Sequence, residues 1–171
     1  MEECERSKLF EQTVLPHLDA AYNLACWLAG NDHDAEDIAQ DACARAFRFI
    51  GGFRGGDGRS WLLAIVRNTA WSWLKKNRPA AIVTINEDEL AEIEDHGAAA
   101  SLVHGADKGA LRAALESLPL EFREALVLRE LEGLSYKEIA EVAEIPVGTV
   151  MSRIARARGQ LQTAFNEKGA A

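Results

Sequence analysis

Apolar residues in this chain recur every three to four positions, which is the spacing of one face of an α-helix, and alternating strand-like patterns are almost absent. Proline and glycine interrupt the periodic segments, at Pro16, Gly30, Pro79 and Gly133 among other places. Neither residue is well tolerated inside a helix, so these positions indicate interruptions or ends. The sequence therefore predicts an all-α protein.

Three helical stretches are expected in the first half of the chain. Residues 8–28 form the first, which is interrupted or kinked at Pro16 because proline has no amide hydrogen to donate. The second reaches about residue 50, and five glycines then make a flexible loop at residues 51–58. The third reaches residue 77 and stops before a proline. The side chains expected to cap the second and third helices are Asp32 or Asp34, and Ser60.

Composition divides the chain into two small helical domains. Residues 80–106 are acidic, rich in alanine and glycine, and only weakly periodic. A linker is therefore favoured there over the alternative of a short extended piece at residues 80–85. We expect one domain at residues 1–79 and another at 107–171, joined by this flexible acidic linker.

The net charge of −8 hides two basic segments. Residues 51–79 carry a net charge of +5 and residues 145–171 carry +3, whereas residues 80–107 carry −7. Two basic segments in an otherwise acidic chain indicate two separate contacts with a polyanion. The acidic surfaces between them are then available for a different kind of partner.

Several classes of protein are disfavoured by the sequence. The longest apolar run falls short of the roughly 18 residues that a membrane-spanning helix needs, and the first residues are acidic, unlike a secretory leader. We therefore expect no membrane insertion and a cytoplasmic protein. No nucleophile, metal-ligand or phosphate-loop pattern is present, so we expect no enzyme activity, no cofactor and no metal. Cys26 and Cys43 lie in apolar stretches and are expected to be buried thiols.

The second domain contains strong helix-end signals. Asp107 can cap its first helix, and Pro119 is expected as the first residue of the next, which ends at Gly133. Ser135 and Glu138 have the spacing of a capping box, in which each side chain satisfies an unpaired amide of the first turn. A short turn and another helix follow.

This last helix, opened by Pro146, has two distinct faces. One face is apolar and the other carries hydroxyl, amide and guanidinium groups. Capping box, turn and two-faced helix together are typical of a helix-turn-helix, whose second helix enters the major groove of DNA. The apolar face comprises Val147, Val150, Ile154, Ala157 and Leu161, and the polar face comprises Thr149, Ser152, Arg153, Arg156 and Gln160.

The helix at residues 60–77 combines indole rings with basic groups on one face. Such a face suits single-stranded nucleic acid, because bases stack on aromatic rings and phosphates meet cations. Ordinary packing is favoured for Trp73, exposure for Trp71, and Trp61 is open between the two. The expected core face is Leu62, Ile65, Val66, Thr69 and Trp73, and the opposite face is Trp61, Arg67, Asn68, Trp71, Lys75 and Arg78.

The preceding helix bears an acidic and then basic ridge at near-helical steps. A solvated face with pairs at i,i+4 and a protein-docking surface are both compatible with it, and composition does not decide between them. The ridge consists of Asp34, Asp37, Asp41, Arg45 and Arg48.

These segments together resemble the extracytoplasmic-function sigma factors, the minimal bacterial type that has only sigma domains 2 and 4. The resemblance covers nearly the whole chain outside the linker. It is carried by three motifs in the family's order, which are residues 34–47, Phe53–Gly55 with Trp61–Asn68, and residues 131–153.

The resemblance implies a set of partners and roles. The protein would bind core RNA polymerase, through the β′ clamp helices and the β subunit, and promoter DNA. An anti-sigma factor would regulate it and could hold it at the inner membrane. The implied polymerase-binding residues are Asp34, Asp37, Gln40, Asp41 and Arg45. Those implied for opening and holding the −10 element are Arg54, Arg59, Trp61, Arg67, Asn68, Trp71, Lys75 and Arg78. Those implied for the −35 element are Val147, Gly148, Thr149, Ser152, Arg153 and Arg156.

The sequence departs from the family pattern in two places. Met151 stands where a lysine or arginine is common, which removes one phosphate contact, and the glycine-rich loop is slightly short. An alternative function is a sigma-like mimic that sequesters an anti-sigma factor, but such a mimic would not need both DNA-facing surfaces. A stand-alone helix-turn-helix regulator would leave the first domain unexplained.

Overall fold

The computed structural model describes residues 2–82 and 108–169, with the side chains at positions 108, 168 and 169 left aside. Within these two ranges the regular elements are all helices, as the apolar periodicity predicted. They form two compact units. The α-helices are α1 (Glu3–Thr13), α2 (Leu18–Ala29), α3 (Asp32–Phe49), α4 (Gly58–Asn77), α5 (Lys108–Glu116), α6 (Leu120–Glu130), α7 (Tyr136–Ala143) and α8 (Val147–Gly169).

The first unit is built around three mutually packed helices, α2, α3 and α4, with α1 against α3. Small alanines along α3 allow the neighbouring helices to approach closely, and large aliphatic side chains fill the space between them. The fully buried side chains of this core include Leu24, Leu28, Ile38, Ile50, Leu62, Leu63 and Leu74.

The residues of α4 that are buried differ in part from those predicted to form its core face. Ile65 and Trp73 are only half-buried, whereas Leu63, Ala70 and Leu74 are buried. The reason is that α4 packs against both α2 and α3, so its core face is wider than a single stripe and is rotated from the predicted one.

The helix ends of the first unit follow local backbone chemistry. Pro16 lies in a 3₁₀ turn, Leu15–His17, that separates α1 from α2, which confirms the predicted interruption. Gly30 ends α2 with a φ of 83°, a left-handed conformation that suits glycine.

Two predicted caps are wrong by one to three positions. Asn31, not Asp32 or Asp34, caps α3, and its side chain accepts a hydrogen bond from the Asp34 amide at 2.8 Å. Asp57, not Ser60, caps α4 and accepts a bond from the Arg59 amide at 3.0 Å. In both cases the capping residue has the extended backbone that a cap requires, while the predicted one is already helical.

The second unit contains the expected helix-turn-helix. Ser135 and Glu138 form the capping box of α7, with bonds of 3.1 and 3.0 Å. Pro119 is the cap of α6 rather than its first residue, and α6 ends before Gly133, which has a φ of 69°. The carbonyl of Pro146 accepts the amides of the first turn of α8. The core comprises Leu115, Phe122, Leu126, Leu128, Leu134, Ile139, Val150, Ile154 and Leu161.

Part of the predicted linker falls within the described residues. Pro79–Ala81 form a 3₁₀ turn instead of an extended piece. Residues 83–107, including the cap proposed at Asp107, lie outside the described residues. In the described ranges no helix combines the length and the apolar character needed to cross a membrane.

The expected buried thiols are only half-buried. Burial raises the pKa of Cys43, while Cys4 is exposed. Cys26 lies 3.9 Å from a carboxylate oxygen of Asp32. A hydrogen bond with Cys26 is the main cause that raises the pKa of Tyr22 to about 12.

Candidate nucleic-acid and polymerase interfaces

The ridge on α3 is exposed along its middle. Asp37, Gln40 and Asp41 all face solvent. Asp41 pairs with Arg45 at 3.2 Å, one helical turn later. An exposed pair of this kind contributes little to stability, so these side chains are available for an external partner.

Asp34, at the start of the same ridge, is tied into the fold. Its carboxylate accepts a bond from the Asn31 amide group at 2.7 Å and pairs with Arg78 at 3.5 Å. Arg78 also donates to the carbonyl of Ala29 and lies over the ring of Trp73, 5.5 Å from its centroid. The two residues predicted for different surfaces, Asp34 and Arg78, therefore join the ends of α2, α3 and α4 to one another.

The mixed face of α4 brings together three of its predicted residues. The guanidinium of Arg67 lies over the ring of Trp71, 4.6 Å from the centroid, and donates to the side-chain oxygen of Asn68 at 3.3 Å. Asn68 is exposed and the other two are half-buried. We call these three residues the α4 cluster. It offers a flat ring, a cation and an amide on one patch of surface.

The start of α4 and the loop before it lie close to the end of α1. A Cβ on Gly58 would lie 2.8 Å from the backbone oxygen of Thr13, so only glycine fits there. Gly55 and Gly56 adopt φ values of 86° and 92°. Trp61 is half-buried and packs edge-on against Phe53, with ring centroids 5.3 Å apart.

The basic residues predicted around this loop and at the end of α4 are spread out. Arg54 and Lys75 are exposed, and Arg59 is half-buried in the first turn of α4. The three positive charges thus lie in the loop, at the start of α4 and near its end, rather than in one patch.

The exposed side of α8 begins at its first turn. Val147 and Gly148 are exposed, and Thr149, Ser152, Arg153 and Arg156 are half-buried. One terminal nitrogen of Arg156 is buried with no hydrogen-bond partner, so its guanidinium is partly withdrawn from solvent. On the face predicted to be apolar, Val150, Ile154, Ala157 and Leu161 are buried as predicted, whereas Val147, in the first turn, is exposed.

Two sets of contacts that hold the helices of the second unit together could not be predicted from the sequence. Arg158 of α8 forms an ion pair with Glu130 of α6. Arg129 donates to the carbonyl of Leu134 at 2.9 Å and lies over the ring of Tyr136. A sequence shows these as ordinary charged residues, because nothing local indicates that their partners belong to other elements.

One group of side chains in the described ranges has the geometry of a metal site. Ligand atoms of His33, Asp34 and Asp37 lie within 4.8 Å of one another. Two of the three are exposed, and Asp34 already pairs with Arg78. Exposed acidic clusters are common without an ion, and this one gives no reason to add a metal to the site.

Both compact units match family models. Residues 13–79 match the family described as "Sigma-70 region 2", and residues 108–161 match "Sigma-70, region 4". The first match contains the α3 ridge and the α4 cluster, and the second contains the helix-turn-helix.

Individual relatives carry corresponding names. The chain is 39% identical over 155 residues to the ECF RNA polymerase sigma factor SigE of Mycolicibacterium smegmatis, covering 90% of this chain and 60% of that relative's length. It is 36% identical over 170 residues to the RNA polymerase sigma-H factor of Pseudomonas aeruginosa, covering 92% and 86%. It is 39% identical to the ECF RNA polymerase sigma-E factor of Haemophilus influenzae, covering 76% and 74%.

Two solved structures extend the similarity to three dimensions. The sigma factor RpoE of Bartonella quintana, in complex with the anti-sigma factor NepR, has a TM-score of 0.72 at 27% identity and covers 92% of this chain and 96% of that one. CnrH in complex with the cytosolic domain of CnrY has a TM-score of 0.64 at 25% identity, covering 92% and 88%. Because both sigma regions are present in order and relatives match most of both chains, this protein belongs to the extracytoplasmic-function sigma factors of the sigma-70 family.

Proposed function

We propose that this protein binds core RNA polymerase and directs promoter-specific initiation, with α3 docking on polymerase, α4 opening the −10 element and α8 reading the −35 element. The protein itself catalyses nothing in this scheme. It supplies binding surfaces, and polymerase supplies the chemistry.

The α4 cluster is the observation that carries the proposal for the −10 element. Arg67 and Trp71 together present a cation and a stacking surface, and Asn68 adds donors and acceptors that can read a base edge. A base removed from a duplex needs all three kinds of contact, because stacking and pairing energy must be replaced. Trp61, Arg54, Arg59 and Lys75 add further contacts to the −10 element in this proposal, while Arg78 acts within the fold.

The exposed part of the α3 ridge is the proposed polymerase surface. Asp37, Gln40, Asp41 and Arg45 lie on one side of α3, away from the buried Ile38 and Ala42. Acidic side chains followed by a basic one suit a helical partner with complementary charge, such as the β′ clamp helices. Asp34 contributes by holding the start of α3 against Arg78.

An anti-sigma factor is the proposed regulator. One structural relative is bound to the anti-sigma factor NepR, and another is bound to the cytosolic domain of CnrY. A regulator of that kind would hold this protein at the inner membrane until a signal releases it. The experiment is to capture the anti-sigma factor with the tagged protein and then to fractionate cells that contain or lack that factor. Association of the tagged protein with the membrane is expected only in cells that contain it.

Transcription with purified components tests the main proposal. Core polymerase plus this protein is incubated with a library of genomic fragments, and run-off products are sequenced. Discrete start sites that share −10 and −35 elements are expected, and they must be absent with core polymerase alone. A protein that binds an anti-sigma factor but yields no such transcripts would be the sigma-like mimic instead.

A further inference from the structure

The first turns of α8 expose two apolar side chains on the helix proposed to enter DNA. Val147 is 41% exposed and Met151 is 53% exposed, while Val150, on the adjacent core-facing side of α8, is fully buried. Exposed large apolar side chains are few in the described part of the chain, and these two are the ones that lie in α8. They are not needed for the core of the second unit.

Helical geometry places these two side chains together. Residues four apart lie about 40° from each other around a helix, with Cβ atoms roughly 6 Å apart. Gly148 lies between them in sequence, and nothing stands within 4 Å of where its Cβ would be. Val147 and Met151 therefore form a small apolar patch beside the exposed backbone of Gly148, with Ser152 in the following turn.

The N-terminal residues of a recognition helix are the ones that contact base edges in the major groove. The thymine C5-methyl group is the apolar feature that a base pair presents there. A basic residue at position 151 would instead contact a phosphate and carry no sequence information. We therefore propose that Val147 and Met151 bind a thymine methyl group in the −35 element, so that a phosphate contact is exchanged for sequence readout.

This inference rests on the proposed function, because it requires α8 to lie in the major groove. It adds a chemical prediction that the family resemblance does not contain. At one or two positions, on either strand of the −35 element, the pyrimidine methyl should contribute to binding. A protein partner seated on the same two side chains is the competing explanation.

The test uses holoenzyme and a promoter recovered from the run-off library. Each thymine of the −35 element, on both strands, is replaced singly by deoxyuridine, which pairs identically but lacks the methyl group. At the contacted position the wild-type holoenzyme should bind about fourfold more weakly, the factor expected for one buried methyl group. Met151→Ala should reduce this difference, and the double variant Val147→Ala, Met151→Ala should bind both duplexes equally.

Two further variants sharpen the result. Met151→Lys should lose the discrimination between thymine and uracil and should steepen the dependence of log K on log salt by about 1, because one more phosphate is contacted. Thr163→Ala, an exposed change in the second half of the same helix, should leave both properties as in the wild type.

The possible failures are distinguishable. Holoenzyme that shows no −35 dependence would overturn the proposed function itself. Clear −35 dependence with no thymine-to-uracil effect at any position would overturn only the methyl readout. So would an effect that persists when both Val147 and Met151 are replaced by alanine. If Met151→Lys abolishes capture of an anti-sigma factor and leaves DNA binding unchanged, the apolar pair is a protein contact.

Discussion

Arg158 of α8 and Glu130 of α6 form an ion pair whose side chains are only 12% and 10% exposed. This pair joins the helix proposed to read DNA to the first long helix of the same unit. Because both charges are largely removed from water, each helps to offset the desolvation of the other.

Removing one partner of that pair should be strongly destabilising. Glu130→Ala should lower the free energy of unfolding of the second unit by about 3 kcal/mol, since it leaves Arg158 buried without its carboxylate. Urea denaturation of the full chain, followed by helix content, measures this. Arg112→Ala is the matched control, because the Arg112–Glu116 pair is about 40% exposed and should cost under about 0.5 kcal/mol. Equal losses in the two variants would contradict this account.

In the turn of the helix-turn-helix, Glu144 adopts a left-handed backbone conformation that is unfavourable for residues other than glycine. Glu144 ends α7 with a φ of 57° and a ψ of 47°, and it is the non-glycine residue with positive φ in the described part of the chain. Glu144→Gly should therefore stabilise the second unit by about 0.5–1 kcal/mol. Gly133→Ala, at a φ of 69°, should have the opposite sign. Thermal melting of both variants measures these effects. A melting temperature of Glu144→Gly below that of the wild type would contradict the prediction that Glu144 is strained.

Gly58, the first residue of α4, should be far less tolerant of substitution than Gly52 in the preceding 3₁₀ turn. In Gly58→Ala the new methyl meets the Thr13 carbonyl oxygen at 2.8 Å, a backbone atom that cannot move cheaply. We expect a loss of about 1–3 kcal/mol in the first unit, as for other overpacked sites. Gly52→Ala has open space around its Cβ and should be close to neutral. Chemical denaturation of the two variants provides the comparison.

The α4 cluster should act in strand opening rather than in duplex binding. Asn68→Ala and Trp71→Ala should reduce transcription from duplex templates, because each removes a contact to an unpaired base worth about 1–3 kcal/mol. A template with a pre-melted bubble should restore activity. Run-off assays on both templates give the answer, and an equal defect on both would indicate impaired folding or docking.

The two halves of the α3 ridge should respond differently to charge reversal. Asp37→Arg should abolish co-purification with core polymerase while the helix content and melting temperature stay unchanged, because Asp37 is exposed. Asp34→Arg should lower the melting temperature, since it places a second cation beside Arg78. If Asp37→Arg still co-purifies with polymerase, the exposed ridge is a solvated surface.

Local signals in the sequence were sufficient for most of the fold. Helical periodicity, Pro16, Gly30 and the Ser135–Glu138 capping box act over a few residues, so they could be recognised without a structure. The caps of α3 and α4 were misplaced because aspartate, asparagine and serine all cap well and several adjoin each start.

Long-range contacts were beyond the same reasoning. Arg78 looked like one more basic residue on the DNA-facing side of α4, yet the carbonyl it binds is 49 positions earlier. Arg158 and its carboxylate are 28 positions apart. Only tertiary packing distinguishes a cation that serves the fold from one that is available to DNA.

The position of Arg78 also has a mechanical consequence. It is the last residue before Pro79–Ala81, and it is attached to the carbonyl of Ala29 and to Asp34. A pull on the chain beyond residue 79 therefore acts on α4 through the backbone of Arg78 and, in parallel, on the junction of α2 and α3 through its side chain. The last turn of α4 thus shares that load with two other helices.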